Sequence, residues 1–258
     1  MSNIYEPKGR AREYSPLALN LYHGCTHGCV YCYVPKMFRR WNGNYKHSDC
    51  YPSVDFAELE KSAKKYEGCG KQILLSFTGD PYCGVDPETT TQVLKILLQY
   101  NHKVAILTKG GSRLLKDVEL FKKFGDRIKV GATLSLFDRY LSEKFEPNAA
   151  PPQERVEVLR YLAQEGVKTW ASFEPVIFTR QALLLLEDVK DFINHVKVGK
   201  INGMSEIEKS QDWHSFVIDF VTTCRNSGVG IYVKDSLRPF LGDFKLFDFE
   251  VDMDYLSL

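Results

Sequence analysis

The stretch Asn20–Lys36, "NLYHGCTHGCVYCYVPK", holds three of the seven cysteines of the chain. Cys25, Cys29 and Cys32 stand in the spacing Cys-x3-Cys-x2-Cys. Most metal sites built from sulfur use four protein ligands, so this stretch lacks one. It also comes directly after a predicted β-strand, Ala18–Tyr22, and this position ties the cysteines to the fold.

Short apolar runs alternate with amphipathic helical patterns along the chain. Such alternation predicts an α/β fold with parallel strands and right-handed crossovers. We predict one domain over residues 1–258, in which a full or partial (β/α) barrel is favoured over an open doubly wound sheet, although periodicity alone does not separate the two architectures. Its core covers roughly residues 16–236, with short terminal extensions and an acidic tail at 242–258. The predicted strands are Ala18–Tyr22, Gln72–Phe77, Lys103–Thr108, Ile128–Ser135, Lys168–Phe173, Val196–Gly199 and Gly230–Lys234.

Helix starts are marked by capping residues. Asp55, Asp86 and Ser112 are expected to cap helices, and Pro151-Pro152 is expected to open another. The clearest helical period runs from Trp213 to Cys224.

The composition is that of an ordinary soluble protein, with a net charge of +1. No apolar leader and no run of 18 apolar residues occurs, so we expect a cytoplasmic protein without a membrane partner. Cysteines in that compartment are thiols or metal ligands more often than disulfides. Global charge does not argue for a nucleic-acid partner.

Polar residues follow several predicted strands at the point where each strand ends. Because the carboxyl ends of parallel strands meet at one edge, we expect these residues to lie near the cysteines. They are Thr78, Gly79, Asp80, Lys109, Thr133, Ser135, Glu174 and Lys234.

The cysteine spacing allows three interpretations. The thiols could be buried structural residues, or zinc ligands together with His23 or His27. They could also hold an iron–sulfur cluster that keeps one iron without a protein ligand.

The segment "CTHGCVYC" resembles the signature of the radical SAM superfamily. The resemblance implies a [4Fe–4S] cluster on Cys25, Cys29 and Cys32, with S-adenosylmethionine (SAM) as ligand of the remaining iron. It also implies reductive cleavage of SAM to a 5′-deoxyadenosyl radical, fed by an external electron donor such as a flavodoxin or ferredoxin. The fold that the resemblance implies is a partial (β/α)6-type TIM-like barrel of the radical SAM kind.

Further motifs resemble the spore photoproduct lyase-like branch of that superfamily over roughly residues 15–200. They are Cys32-Tyr33, "TGDPY", "LTKG" and "EPNAAPPQERVEVLRYLAQEGV". The resemblance implies these roles: Tyr31 against adenine; Thr78, Gly79 and Asp80 at the methionine amino group; Lys109 at the carboxylate; Thr133 and Ser135 at the ribose or carboxylate; and Glu174 at the rim.

The chain departs from that branch where the lyase has a hydrogen-donating cysteine, because Phe77 occupies the place. Tyr33 and Cys83 are therefore the hydrogen-transfer candidates. An auxiliary cluster on Cys50, Cys69, Cys83 and Cys224 is an alternative, although these residues show no common spacing.

The segment at residues 33–47 is basic and aromatic, and it begins next to the cysteines. Lys36, Arg39, Arg40 and Trp41 are candidate contacts to a nucleic-acid backbone and an unstacked base. A solvated loop packed on the barrel explains the pattern equally well. We therefore expect a radical SAM enzyme acting on nucleic acid or a nucleotide. A peptide or small metabolite, or a non-catalytic iron–sulfur module, are the alternatives.

Overall fold

The computed structural model describes residues 4–258, and within them seven parallel strands form one open, curved sheet. The strand order is β1-β4-β5-β6-β7-β8-β9, and two short strands, β2 and β3, pair separately and antiparallel. The α/β partial barrel is therefore confirmed. The strands are β1 (Leu17–Leu19), β2 (Tyr22–His23), β3 (Tyr51–Pro52), β4 (Gln72–Leu75), β5 (Lys103–Thr108), β6 (Ile128–Thr133), β7 (Lys168–Val176), β8 (His195–Lys200) and β9 (Gly230–Val233).

Helices alternate with the strands. They are α1 (Val34–Arg39), α2 (Phe56–Lys65), α3 (Pro87–Gln99), α4 (Val118–Phe124), α5 (Arg139–Phe145), α6 (Pro152–Gln164), α7 (Thr179–Val189), α8 (Ser205–Lys209) and α9 (Trp213–Ser227). Of these, α6, α7 and α9 pack against the sheet. Asp55 and Asp86 cap α2 and α3 as predicted, accepting bonds from the backbone N–H of Glu58 and Glu88. The predicted cap at Ser112 is wrong, because a 3-10 helix, Gly111–Asp117, comes before α4.

The first predicted strand is divided in two by Asn20. The Asn20 side-chain oxygen accepts from the backbone N–H of Phe77 (2.8 Å) and Thr78 (3.1 Å). These two bonds join the ends of β1 and β4, and the chain then turns away into the short strand β2.

The N-terminal segment bridges the open side of the barrel between β1 and β9. Tyr5 pairs with Ala18 through two backbone hydrogen bonds of 2.9 and 3.0 Å. Glu13 accepts from the Tyr232 hydroxyl and the Asp235 backbone N–H, both at 3.1 Å. These bonds connect the two edge strands through a segment that is not part of the sheet.

Side chains on the inner face of the sheet fill the barrel. Trp170 is buried there, and its indole N–H donates to the Ile106 carbonyl at 3.0 Å. A Cβ on Gly131 would lie 2.5 Å from the indole nitrogen, so only glycine fits beneath that ring.

The acidic tail at 242–258 lies against basic residues. Asp254 forms a two-bonded ion pair with Arg12 (2.6 and 2.8 Å), and Glu250 forms another with Arg225 (2.6 and 2.8 Å). The buried Lys129 donates to the Leu256 carbonyl. In the part of the chain that the structure describes, every helix is too short or too polar to cross a membrane.

Candidate radical and cofactor site

The three cysteines of the motif lie in the loop between β2 and α1, beside the carboxyl end of β1. The backbone N–H of Cys25 donates to the His47 carbonyl at 2.7 Å, and that of Cys32 donates to the Cys29 carbonyl at 3.1 Å. Cys25 is buried, whereas the other two are partly exposed, and all three are free thiols. The loop is thus fixed by its backbone and presents three sulfur atoms outside any disulfide, of which that of Cys32 lies 3.8 Å from His47 Nε2.

Gly24 allows the segment around His47 to pack against this loop. Its φ is +73°, and a Cβ there would lie 2.6 Å from the carbonyl oxygens of both His47 and Asp49. A side chain at this position would therefore displace the backbone that accepts the Cys25 bond.

Burial raises the pKa of all three thiols, that of Cys29 to about 11. The nearby Lys109 ammonium opposes this increase at Cys29 and Cys32. The free thiols are therefore protonated near neutral pH, and binding of a metal cluster would release their protons.

The two histidines of the motif have other partners. The His23 ring stacks on Tyr51 with centroids 4.8 Å apart. His27 is buried, lies 3.1 Å from an Arg113 nitrogen and 3.5 Å from an Asp80 oxygen, and burial lowers its pKa. These contacts argue against either ring as a fourth zinc ligand.

The polar residues after the strands do meet at this edge. Asp80 joins the ends of β4 and β5: one carboxylate oxygen accepts from Thr108 (2.6 Å) and from the Tyr82 N–H (2.8 Å). The other accepts from the Lys109 N–H at 2.8 Å. Gly79 packs so closely that a Cβ would lie 2.8 Å from the Gly24 carbonyl.

Thr78 lines a cavity of about 300 Å³ beside the cysteine loop. The other lining residues are Asn20, Tyr22, His23, Gly24, Phe38, Tyr45 and Ser53.

Tyr31 is held by a buried ion pair that the sequence-based site did not include. Its hydroxyl donates to Glu146, and the other Glu146 oxygen accepts from Arg155 at 2.6 Å. Arg155 also donates to the Thr133 carbonyl at 2.9 Å, and Ser135 lies 3.3 Å from the Tyr31 hydroxyl. Burial opposes ionisation of Glu146, but Arg155 and Lys109 outweigh it and lower its pKa.

The Lys109 side chain carries a positive charge at this site. Its ammonium lies 5.7 Å from the centroid of the Tyr31 ring. Among the residues that the structure describes, this ammonium makes no ion pair and donates no hydrogen bond, although its backbone is fixed at both ends. It is therefore available to an anionic ligand.

Glu174 lies inside the barrel mouth, where it contacts Tyr14 of the N-terminal segment and Lys234 after β9. One of its oxygens accepts from the Tyr14 hydroxyl (2.5 Å) and from Lys234 (2.6 Å). Lys234 also lies 3.2 Å from Glu13. Glu174 thus belongs to a paired network and offers only its second oxygen to a ligand.

The family model of the radical SAM superfamily matches residues 19–195. The chain belongs to the radical SAM superfamily. It is 30% identical over 161 residues to an uncharacterised protein of Methanocaldococcus jannaschii, covering 62% of this chain and 60% of that protein. It is 27% identical over 186 residues to an uncharacterised protein of Acidianus two-tailed virus, covering 67% and 59%. The chain thus spans about 60% of the length of these relatives.

Solved radical SAM structures share the fold. A spore photoproduct lyase variant with bound AdoMet and dinucleoside spore photoproduct superposes with a TM-score of 0.60 at 15% identity, covering 80% of this chain and 62% of that one. Streptococcus suis SuiB bound to its precursor peptide SuiA gives 0.64 at 16%, covering 91% and 54%. The expected likeness to spore photoproduct lyase is confirmed for the fold.

The cysteine loop fits the cluster that the radical SAM superfamily implies. In the described residues, no three His, Cys, Asp or Glu side chains converge as ligands of one metal ion. Thiolates of a multi-iron cluster bind different irons, so their sulfur atoms need not converge on one point. Three free thiols in one loop, two of them accessible, suit this kind of centre.

The two hydrogen-transfer candidates differ in their exposure to solvent. The exposed Tyr33 donates its hydroxyl to the Phe77 carbonyl at 2.7 Å, at the barrel mouth. Cys83 is buried in the layer between the sheet and α3, with its sulfur 3.4 Å from that of Cys50. Of these two residues, Tyr33 is 55% exposed and Cys83 is 3% exposed.

The basic and aromatic segment is partly packed and partly exposed. Phe38 and Tyr45 stack with centroids 4.8 Å apart and pack against His23. Trp41 is 86% exposed. Lys36, Arg39 and Arg40 are exposed, and within residues 4–258 they form no ion pair. The packed aromatics fit the structural interpretation, and the exposed Trp41 fits the binding interpretation.

Proposed function

We propose that this chain is an enzyme that holds a [4Fe–4S] cluster on Cys25, Cys29 and Cys32 and binds SAM at the fourth iron. The observation that carries the proposal is the Lys109 ammonium, without an ion pair among the described residues, acting on the free thiols of Cys29 and Cys32 at the carboxyl edge of a radical SAM barrel. When bound, cluster and SAM supply one-electron reductive cleavage and hence hydrogen-atom abstraction. An external flavodoxin or ferredoxin class donor would provide the electron.

The residues of the chain position SAM rather than carry out the cleavage. Lys109 is assigned to the methionine carboxylate, because it has an unpaired charge at the site. Asp80 has accepted three protein hydrogen bonds already, so we assign it to holding Lys109 and the β4 end in place. Tyr31, fixed through Glu146, is assigned to the adenine, with Thr133 and Ser135 near the ribose.

Anaerobic reconstitution tests the cluster. The protein is expected to bind about four irons and four sulfides and to turn brown. Alanine at Cys25, Cys29 or Cys32 should abolish this, whereas Cys224→Ala, in a buried helix face, is the matched control and should retain it. Stoichiometric zinc without visible absorbance would contradict the proposal.

Lys109→Ala tests the SAM site separately from the cluster. We expect full iron content but a SAM affinity reduced about tenfold or more, because a charge-assisted bond is lost. Lys123→Ala, on an exposed turn of α4, should leave SAM affinity unchanged. Undiminished affinity in Lys109→Ala would refute the assignment. An intact, reducible cluster that never cleaves SAM would favour a non-catalytic module.

For the substrate we propose nucleic acid, on the basis of this chain's own residues. The two fold neighbours act on different classes by their descriptions, a dinucleoside photoproduct and a precursor peptide, so they do not distinguish between the substrates. Lys36, Arg39 and Arg40, which form no ion pair within residues 4–258, lie with the exposed Trp41 on α1 and the turn after it, beside the cysteine loop. This combination suits a backbone with one unstacked base.

Titration of labelled single-stranded oligonucleotides at several salt concentrations tests the substrate class. Four basic residues at 33–47 limit the log–log slope to about −3 for a single strand. Arg39→Ala should make that slope shallower by about 0.7. Trp41→Ala should cost about 1–3 kcal/mol without changing the slope, and Lys123→Ala is the control. Absence of binding at low salt would favour a peptide or small metabolite.

A further inference from the structure

Two cysteines outside the cluster motif are in direct contact. The sulfur atoms of Cys50 and Cys83 lie 3.4 Å apart, although 33 residues separate them in the sequence. A disulfide bond is about 2.05 Å long, so the two atoms would have to approach by only ~1.4 Å. The other two cysteines outside the motif differ: Cys69 is exposed, and Cys224 is buried in the face of α9 within a separate core region.

The two thiols differ in their access to solvent. Cys83 is 3% exposed and packs among apolar side chains beneath the sheet edge, whereas Cys50 is partly exposed next to β3. A reagent in solution can therefore reach Cys50 but not Cys83. An accessible thiol with a buried thiol in contact has the arrangement of an attacking and a resolving cysteine.

The pair joins the two segments that hold the cluster loop. Cys50 belongs to the stretch whose His47 carbonyl accepts the Cys25 bond. Cys83 belongs to the loop after β4, and its carbonyl accepts from the Thr26 hydroxyl at 2.5 Å. A covalent link between Cys50 and Cys83 would connect both supports of the loop.

We propose that Cys50 and Cys83 form a reversible dithiol–disulfide site, distinct from the three cluster cysteines. The Cys50 thiolate attacks the sulfur of a small or protein disulfide, forms a mixed disulfide and releases one thiol. Cys83 then attacks the Cys50 sulfur, forms the internal disulfide and releases the second thiol. Two protein thiols are oxidised and one external disulfide is reduced to two thiols, with the two protons passing to the released thiolates.

Oxidised glutathione is the probe. The anaerobically reconstituted full chain is incubated with it, acid-quenched and alkylated, and its peptides are mapped by mass spectrometry. We expect a Cys50–Cys83 cross-linked peptide, two hydrogens lighter than the sum of the free peptides, that disappears after treatment with dithiothreitol. Cys224 should remain reduced.

Single variants test the order of attack. Cys83→Ser should accumulate glutathione on Cys50, because the resolving thiol is missing. Cys50→Ser should leave Cys83 unmodified, because that thiol is buried. Far-ultraviolet circular dichroism establishes that each variant is folded, and the double variant provides the blank.

Several outcomes would overturn the proposal. One is that Cys50 and Cys83 stay reduced under conditions that oxidise the exposed Cys69. Another is that either residue cross-links mainly to Cys25. A third is that both single variants are modified by glutathione to the same extent. A lower iron content in folded Cys50→Ser, with full iron content in Cys83→Ser, would also overturn it, because that difference would indicate that Cys50 is a cluster ligand rather than one partner of a dithiol. None of these readouts depends on SAM cleavage, so the result stands apart from that of the proposed activity.

Discussion

The buried Lys197 makes the stability of the fold depend on pH in a direction that can be calculated. Its ammonium is fully buried inside the barrel and donates to the carbonyls of Glu13 (2.6 Å) and Tyr14 (3.3 Å). Burial, assisted by the neighbouring charge of Lys234, lowers its pKa from 10.5 to about 7, against the opposing effect of Glu13. The folded protein therefore loses this proton at a lower pH than the unfolded chain.

The sign follows from proton linkage. Below pH 7 both states tend to hold the proton, and Lys197 adds little pH dependence. Above it, up to the ordinary lysine pKa, the unfolded chain binds one more proton than the folded protein, so the free energy of unfolding increases with pH. Integrating a folded-state pKa of about 7 from pH 7 to pH 9 gives an increase of about 2 kcal/mol.

Lys197→Met removes the titrating group and keeps most of its apolar volume. We expect wild type to gain about 2 kcal/mol relative to this variant between pH 7 and pH 9, measured by urea unfolding of the metal-free protein under reductant. Lys95→Met, at an exposed position of α3, is the matched control and should parallel wild type. Parallel profiles for wild type and Lys197→Met would refute the reasoning.

Two further changes test the packing behind the site. Arg155→Met should destabilise the fold by about 3–5 kcal/mol in urea unfolding, because Glu146 remains buried without its partner. Arg139→Met, which removes an exposed ion pair, should cost under ~1 kcal/mol. Equal costs for the two variants would contradict the burial argument. Gly131→Ala should lower the unfolding temperature, because a clash with Trp170 should cost about 1–3 kcal/mol. Gly43→Ala, at a position with open space around it, should leave the unfolding temperature unchanged. An unchanged unfolding temperature for Gly131→Ala would show that the indole ring can move.

The strand pattern could be predicted well because it depends on local signals. The predicted strand Lys103–Thr108 coincides with β5, and Asp86-Pro87 opens α3 as its capping chemistry requires. The error at Ser112 has a physical cause. Its hydroxyl donates to Glu154, 42 residues away, so a tertiary contact replaced the cap that the local sequence offered.

The candidate site could be located but not completed from sequence. The quoted segment beginning "EPNAAPPQER" contains both Glu146 and Arg155, yet their contact with Tyr31 depends on how α6 packs against β6. Asn20 lies inside the first motif, but its hydrogen bonds reach Phe77 and Thr78, which are more than fifty positions away in the sequence. Contacts over such a distance do not follow from the local sequence. The contact of Cys50 with Cys83 likewise needed the tertiary structure, because the two lie on different loops.

The spare hydrogen-bonding capacity of each group distinguishes ligand contacts from supports at this site. A carboxylate that has accepted several protein bonds gains little from a new partner and must break existing bonds to take one. Asp80 is in this position, and Glu174 has one oxygen engaged by Tyr14 and Lys234. The Lys109 ammonium makes no ion pair or hydrogen bond within residues 4–258, while the backbone that carries it is held by Asp80 and by Ala150. A preorganised cation that still has free hydrogen-bond donors is the group that gains most from a carboxylate ligand. Lys109 is therefore a stronger candidate for binding the SAM carboxylate than Asp80 is for binding the SAM amino group.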